Sequence, residues 1–431
     1  MKVSKFNILF VHEGNNIVFN SFSNQFLLLE EMLFDMYDAS VKAGSFDELN
    51  EVHPEFYAHL VENGFLVPVG TDEVAKVKEI SFAIDNDESA FQLHINPTMN
   101  CNFKCWYCYE THIKDSKMDD QTIFETTNFI KKVFDEKSSL ERFHLSWFGG
   151  EPLLYFNKVI TKILSFAFEQ SSARNVKFSS SITTNGLLIN QDVIDFSKSH
   201  GLDFFQITLD GYREKHDTVR FISEGRGSYD KIVANIFDLA RNGIQVNVRI
   251  NIDPDTLKNI KEIVKDFSGL EEASRQFVHF DFHKVWQVAE DIDFEIAENR
   301  KYFRTMGFRV GSGVHETVVN SCYGDKKNHA TINYNGEVFK CTARDFTTGN
   351  SEGKLGQYGT ITWNEKLEKR LNSKFKNRPC LECRILPLCG GGCTQQAIEH
   401  EGVDYCVYNF DENKKLEVVK TKFAEILEDI A

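Results

Sequence analysis

Eight residues, Cys101-Asn102-Phe103-Lys104-Cys105-Trp106-Tyr107-Cys108, constrain this chain more than any other stretch. Cysteines at i, i+4 and i+7 in a short loop can converge on one metal cluster. Three thiolates satisfy three irons of a 4Fe–4S cubane and leave the fourth iron open to a small molecule. A structural zinc site usually closes with four protein ligands, and this loop offers three. A disulfide would leave an odd thiol and strain the loop.

Around that loop the pattern is strand, loop, helix, repeated. Apolar runs predict strands at 91–96, 142–148, 177–183, 203–209, 245–251 and 277–283. Amphipathic helices are expected near 119–135, 156–169, 190–199, 228–242 and 255–267. Alternation at this spacing means βα units and a parallel sheet. Loops at the C-terminal ends of such strands carry chemistry, and the cysteine loop directly follows the first strand. The second strand ends in Gly149-Gly150-Glu151-Pro152, where paired glycines allow close backbone approach to a ligand and Glu151 can accept from an ammonium. The third ends in Thr183-Thr184-Asn185-Gly186. The fourth ends in Thr208-Leu209-Asp210-Gly211, followed by His216-Asp217 and Arg220.

Seven further cysteines follow residue 320: Cys322, Cys341, Cys380, Cys383, Cys389, Cys393 and Cys406. Cys380-x2-Cys383 is a knuckle pair able to share one metal, and in an arbitrary chain zinc is the first expectation. His94, His112, His144 and His283 show no ligand spacing and read as structural or surface residues.

Taken in order, these motifs resemble the radical S-adenosylmethionine (radical SAM) enzymes. The seven late cysteines resemble the twin-cluster SPASM extension of ribosomal-peptide (RiPP) maturases in that family. The resemblance implies an α/β fold: a partial (β/α)6 TIM-like barrel at 90–310, with a C-terminal cysteine-rich iron–sulfur domain at 311–431. It implies SAM and three 4Fe–4S clusters. Cys101, Cys105 and Cys108 would hold the SAM-binding cluster. Cys322, Cys341 and Cys393 would hold the first auxiliary cluster, leaving an open iron or a non-cysteine ligand. Cys380, Cys383, Cys389 and Cys406 would hold the second. Tyr107 would stack on adenine, and Gly149, Gly150, Glu151 and Pro152 would grip the SAM amino group. Thr183, Asn185, Thr208 and Asp210 would contact the ribose end, and Arg220 the carboxylate.

Residues 1–86 read as a separate winged-helix-like domain. Strands flank Glu13-Gly14-Asn15, a hairpin signal. Phe26, Leu29, Leu33 and Tyr37 recur at helical spacing, a second helix starts at Pro54 and stops at Gly64, and a strand follows at 65–69. This unit resembles the leader-peptide recognition domain of peptide-modifying enzymes, which takes an extended peptide onto a sheet edge. The polar stretch 71–89 reads as a linker, and Leu416, Val419, Phe423 and Leu427 as a C-terminal amphipathic helix.

Composition then narrows the class. With 42% hydrophobic and 26% charged residues the chain is globular. A net charge of −15 lacks the basic stripe of a nucleic-acid binder. No apolar run approaches the roughly 20 residues a membrane helix needs, and the N-terminus carries no signal-peptide core. A cytoplasmic location is expected, where cysteines stay reduced.

These readings imply a radical SAM oxidoreductase that cross-links a precursor peptide bearing a leader. A thioether is the first expectation and a carbon–carbon bond the second, with a flavodoxin or ferredoxin as electron donor. One alternative is a sulfatase-maturase-type formylglycine-forming enzyme. That family places Asp directly after the cysteine matching Cys341, where this chain has Thr342 and then Asp345. The alternative of another class is a zinc-stapled peptide-binding protein without catalysis.

Overall fold

The computed structural model describes residues 1–311 and 321–430, which form two compact units. The larger holds residues 88–311 and 328–367, the smaller residues 1–87, 321–327 and 368–430.

The larger unit is built on an eleven-stranded sheet. Its centre is the six expected strands: Ala90–Asn96, Arg142–Trp147, Lys177–Thr184, Leu202–Leu209, Gln245–Ile252 and Val278–Lys284. They lie side by side in chain order, every pairing parallel. Helices Asp120–Glu136, Thr161–Ala173, Gln191–His200 and Tyr229–Arg241 connect them. Period-two alternation explains the packing. Leu93, Ile95, Leu145, Trp147, Phe205 and Ile207 are fully buried in one apolar cluster with helix residues such as Ile130, Ile163 and Ile236. The opposite face is polar. Register places Gln92 beside His144 and His94 beside Ser146. Arg249 lies between Thr208 and Asp281.

Differences from the sequence expectations are local. The helix expected at 156–169 opens with a 3-10 turn and a π turn and becomes α-helical at Thr161–Ala173. The helix expected at 255–267 is two, Pro254–Lys258 and Lys261–Phe267. Residues 329–363 join the barrel sheet. His329–Asn333 runs parallel to the first strand, and three short antiparallel strands extend the edge to Ile361–Trp363.

The smaller unit starts with strands Asn7–His12 and Asn15–Asn20, joined by Glu13 and Gly14. Both turn residues have positive φ, as a type I′ hairpin requires. A third strand, Gln25–Leu29, pairs with the second. Helical spacing suggests a helix there, but left-handed Asn24 reverses the chain and Phe26 stacks on Phe19 at 4.2 Å. Helices Glu31–Ala43, Asp47–Val52 and Pro54–Glu62 follow, then a short strand, Leu66–Val67, paired with Lys2–Val3. The expected linker contains a helix, Glu73–Asp85, capped by Asp72 and held by fully buried Val77.

The cysteine-rich tail belongs to this same unit. Ile8, Phe10, Ile17 and Phe19 share a core with Ile385, Leu388, Val419 and Phe423. The last two lie on the expected C-terminal helix, Glu412–Ile430. Residues 312–320, at the expected start of the third segment, lie outside the described residues. No helix of the described residues is long and apolar enough to cross a membrane.

Candidate functional site

The three-cysteine loop leaves the end of the first strand. Cys101 and Cys105 pack against the apolar core, while Cys108 is exposed. Burial pushes the Cys101 thiol up to about 12 and Cys108 to about 11, and raises Cys105. Such thiols shed their protons only to a strong cation, which a cluster iron is. The Phe103 amide donates to Cys101 Sγ at 3.4 Å, the kind of bond that stabilises a metal-bound thiolate. Donor type, number and surroundings therefore fit a three-thiolate cluster.

The Gly-Gly-Glu-Pro turn is wedged against the loop's entry. Gly150 has φ +51, and a Cβ there would sit 2.3 Å from the Asn100 carbonyl oxygen. Gly149 would place its Cβ 2.7 Å from Asn96. Only glycine permits this approach. Glu151 follows the two glycines. It is fully buried, and its carboxylate accepts from Leu153 N at 2.9 Å, Thr184 Oγ1 at 2.8 Å and Asn185 N at 2.8 Å. Those bonds staple the second strand end to the third, so the carboxylate is engaged inside the protein. Pro152 opens the following 3-10 turn.

Asn185 reaches the cysteine loop directly, its amide donating to Asn102 Oδ1 at 2.8 Å. Thr183 stands half-buried beside Gln206 in the register, and Thr208 is buried beside Arg249. Asp210 and Arg220, expected as separate SAM contacts, bind each other at 2.6 Å. The Tyr107 hydroxyl, expected on an adenine-stacking ring, donates to Asp210 at 2.5 Å and accepts from Arg220 at 2.8 Å. Asn251 adds a further donor at 3.1 Å. Burial alone would raise Asp210, but Arg220 beside it holds its carboxyl below the usual range.

Glu110, two residues past Cys108, was not singled out by the sequence. Its Oε2 accepts from the Gly150 amide at 2.8 Å. Its Oε1 is closed off from solvent with no hydrogen-bond partner among the described residues. Burial pushes its carboxyl up to about 7. Ligand atoms of Cys108, Glu110 and His112 all lie within 4.8 Å of one another. Nothing in the spacing could have shown this, because the partner Gly150 lies 40 residues away on another strand end.

The expected structural histidines are engaged in side-chain contacts. His94 and His329 share a hydrogen bond of 2.8 Å, and His144 bonds Ser179 and Ser181. His283 pairs with Asp281 at 2.6 Å, and His112 lies 3.5 Å from Cys108 Sγ.

In the smaller unit Cys380, Cys383, Cys389 and Cys406 line one cavity, floored by Ile385 and Leu386. Burial pushes Cys389 up to about 12 and raises Cys380. Asn377 donates to Cys380 Sγ at 3.0 Å and the Tyr408 amide to Cys406 Sγ at 3.4 Å. Four converging thiols with amide donors fit a closed metal centre. Cys322 and Cys393 belong to the smaller unit and Cys341 to the larger.

Comparison with known proteins accounts for this arrangement. Residues 95–267 match the Radical SAM superfamily. The cysteine-type anaerobic sulfatase-maturating enzyme of Clostridium novyi is 25% identical over 68% of this chain and 85% of its own. The radical SAM cyclopropyl synthase TigE of Paramaledivibacter caminithermalis is 22% identical over 85% of this chain and 81% of its own. Among solved structures, SuiB of Streptococcus suis bound to its precursor peptide SuiA aligns with a TM-score of 0.55 and 15% identity, over 94% of this chain and 98% of SuiB. A complex of anSMEcpe with AdoMet and a peptide aligns with a TM-score of 0.60 and 19% identity, over 79% of this chain and 98% of that one. The matched segment, residues 95–267, spans the cysteine loop and the three strand-end motifs that follow it, and this part of the chain is similar to the Radical SAM superfamily.

Proposed function

We propose that this enzyme is a peptide maturase that installs a cross-link in a ribosomally made precursor peptide. The observation that carries this reading is the pairing of two cysteine sites in one chain. One is a three-thiol loop at the ends of barrel strands, the other a four-thiol centre in the tail. Relatives that act on peptides support it, as does an N-terminal segment folded as three antiparallel strands followed by three helices.

Cys101, Cys105 and Cys108 would hold the cluster that binds SAM. Cys380, Cys383, Cys389 and Cys406 would hold one auxiliary cluster, and Cys322, Cys341 and Cys393 the other. When bound, these groups would supply hydrogen-atom abstraction at an unactivated C–H bond and a route out for the remaining electron. The chain's own part is positioning. The Asp210–Arg220–Tyr107 network fixes the cysteine loop from behind, and Glu151 fixes the two strand ends beside it. The polar sheet face offers hydrogen bonds to a peptide backbone. A thioether from a peptide cysteine is the first choice of bond and a carbon–carbon bond the second. The leader would add to an open edge of the N-terminal sheet, Asn7–His12 or Gln25–Leu29. A flavodoxin or ferredoxin would deliver electrons.

Formylglycine formation is the second reading, favoured by the Clostridium novyi relative. Against it, Thr342 follows Cys341, and Asp345 accepts from Thr111 N at 2.8 Å and Thr111 Oγ1 at 2.5 Å. Co-expression with short open reading frames beside the gene, followed by mass analysis, tests the proposal. A loss of two hydrogens with fragmentation blocked between two residues supports a cross-link. An aldehyde trapped by a hydrazide overturns it in favour of formylglycine. A chain holding zinc and no iron would return the non-catalytic binding protein.

A further inference from the structure

The polar face of the barrel sheet carries several histidines, and two of them are committed inside the protein. His144 bonds Ser179 through one ring nitrogen and Ser181 through the other. His94 is buried and bonded to His329. His283 differs. It stands one residue before the C-terminal end of the sixth strand, Val278–Lys284, and its side chain is 39% exposed. Its Nε2 lies 2.6 Å from Asp281 Oδ2. Burial alone would raise the Asp281 carboxyl, but the bond from His283 and the nearby Arg249 hold it below the usual range. An ionised carboxylate only accepts, so Nε2 carries the proton and Nδ1 keeps the lone pair. Nδ1 makes no hydrogen bond among the described residues.

This open nitrogen stands at the reacting end of the barrel. In the register His283 is level with Asn251. Asn251 donates to Asp210, which takes the hydroxyl of Tyr107 in the cysteine loop. Beyond His283 the chain passes over that loop. Trp286 stacks on Tyr109 at 5.6 Å, and Gln287 donates to the Tyr107 carbonyl at 3.2 Å.

Joining a peptide carbon to a sulfur or to a second carbon removes two hydrogens. One leaves its C–H bond as an atom and ends in 5′-deoxyadenosine. The other leaves the atom being joined, as a proton, while one electron passes to an oxidised iron–sulfur cluster. That proton needs an acceptor with a free lone pair beside the peptide.

We propose that His283, oriented by Asp281, accepts the proton that leaves the peptide when the cross-link forms. This rests on the peptide-maturase reading and not on which bond is made. His283 is the catalytic residue, and Asp281 is a positioning residue that fixes its tautomer and stabilises the imidazolium.

His283→Ala tests this in the full chain with all clusters reconstituted, iron counted first. The probe is the precursor peptide that co-expression shows to lose two hydrogens. Cross-linked peptide is read by mass and 5′-deoxyadenosine by chromatography. The expected result is wild-type iron content, cross-linking slowed about a hundredfold, and about tenfold more 5′-deoxyadenosine per cross-link, because hydrogen atoms are taken while the joining step stalls. Added imidazole should restore part of the rate. Asp281→Asn should fall between His283→Ala and wild type, since the ring remains but is no longer held in one tautomer. A merely structural role would lower both products in step. That result, unchanged cross-linking, iron loss from the variant, or no rescue by imidazole would each overturn the proposal. A wild type that modifies no neighbouring peptide would overturn the maturase reading, and the proposal would fall with it.

Discussion

Arg220 donates its Nε to the carboxylate of Asp210 at 2.6 Å, with both residues buried and 10 positions apart in sequence. The helix Arg213–Val219 folds between them, so the pair clamps that excursion back onto the end of the fourth strand. Breaking a buried pair leaves an uncompensated charge, which costs about 3–5 kcal/mol. Asp210→Asn and Arg220→Met should each destabilise the enzyme by that order. The double variant should lose less than the sum, because neither charge is then stranded. Denaturation of the four proteins in parallel checks this, and strict additivity would mean the residues act independently.

The cysteine loop should fail alone. Replacing Cys101, Cys105 and Cys108 together by Ala should abolish SAM cleavage and leave about eight of the roughly twelve irons of three cubanes. Iron and acid-labile sulfide, with chromatography for 5′-deoxyadenosine, read the two effects apart. Continued 5′-deoxyadenosine release would remove this loop from the chemistry.

Glu151 should behave as part of the framework. Three buried donors lose their acceptor when it becomes Ala, at about 1–3 kcal/mol each before relaxation. Glu151→Gln keeps one acceptor oxygen and should sit between. The expected signature is a large drop in thermal stability, with SAM affinity per folded, iron-loaded chain changed by less than about threefold. A stable Ala variant that cannot bind SAM would make Glu151 a direct contact after all.

Acid should loosen the larger unit through His216. Its Nδ1 accepts from the Asp210 amide at 3.1 Å, and its Nε2 bonds Ser228 Oγ at 3.0 Å. Burial pushes this histidine down to about 4, against the pull of Asp210. The folded protein thus holds the neutral ring while the unfolded chain protonates near 6.5. Stability from this residue is complete above about pH 6.5, falls as pH drops, and is gone below about 4, a change of about 3 kcal/mol. His94, lowered to about 3 by burial and by His144, works in the same direction. Unfolding compared at about pH 7.5 and about pH 5 should show the slope, and His216→Asn should flatten it.

The six barrel strands were legible because each is a short apolar run bounded by turn residues, and the strand-end motifs because their glycines and acids stand in order. Three elements were hidden for physical reasons. The helix Glu73–Asp85 has a mostly polar surface and is held by single buried residues such as Val77 and Ser81. The strand Gln25–Leu29 carries apolar residues at i and i+3, a spacing a helix shares, and tertiary pairing decided. His329–Asn333 reads as part of the tail, and only the register with Gln92–Asn96 places it in the barrel. At the site, the residue types were readable and their partners were not. Glu151, expected at the SAM amino group, also accepts from three donors inside the protein, while Glu110, an ordinary acid in sequence, has a buried oxygen with no partner among the described residues.

The shared core of Phe10, Ile17, Val419 and Phe423 has a consequence for how the protein is made. The hairpin leaves the ribosome long before the helix that covers it, with the whole larger unit synthesised in between. Throughout that interval an apolar sheet face stands without its cover, so this unit is completed late. Early strands exposed for that long are open to aggregation. Loss of the helix Glu412–Ile430 would be felt at Phe10 rather than at the end of the chain.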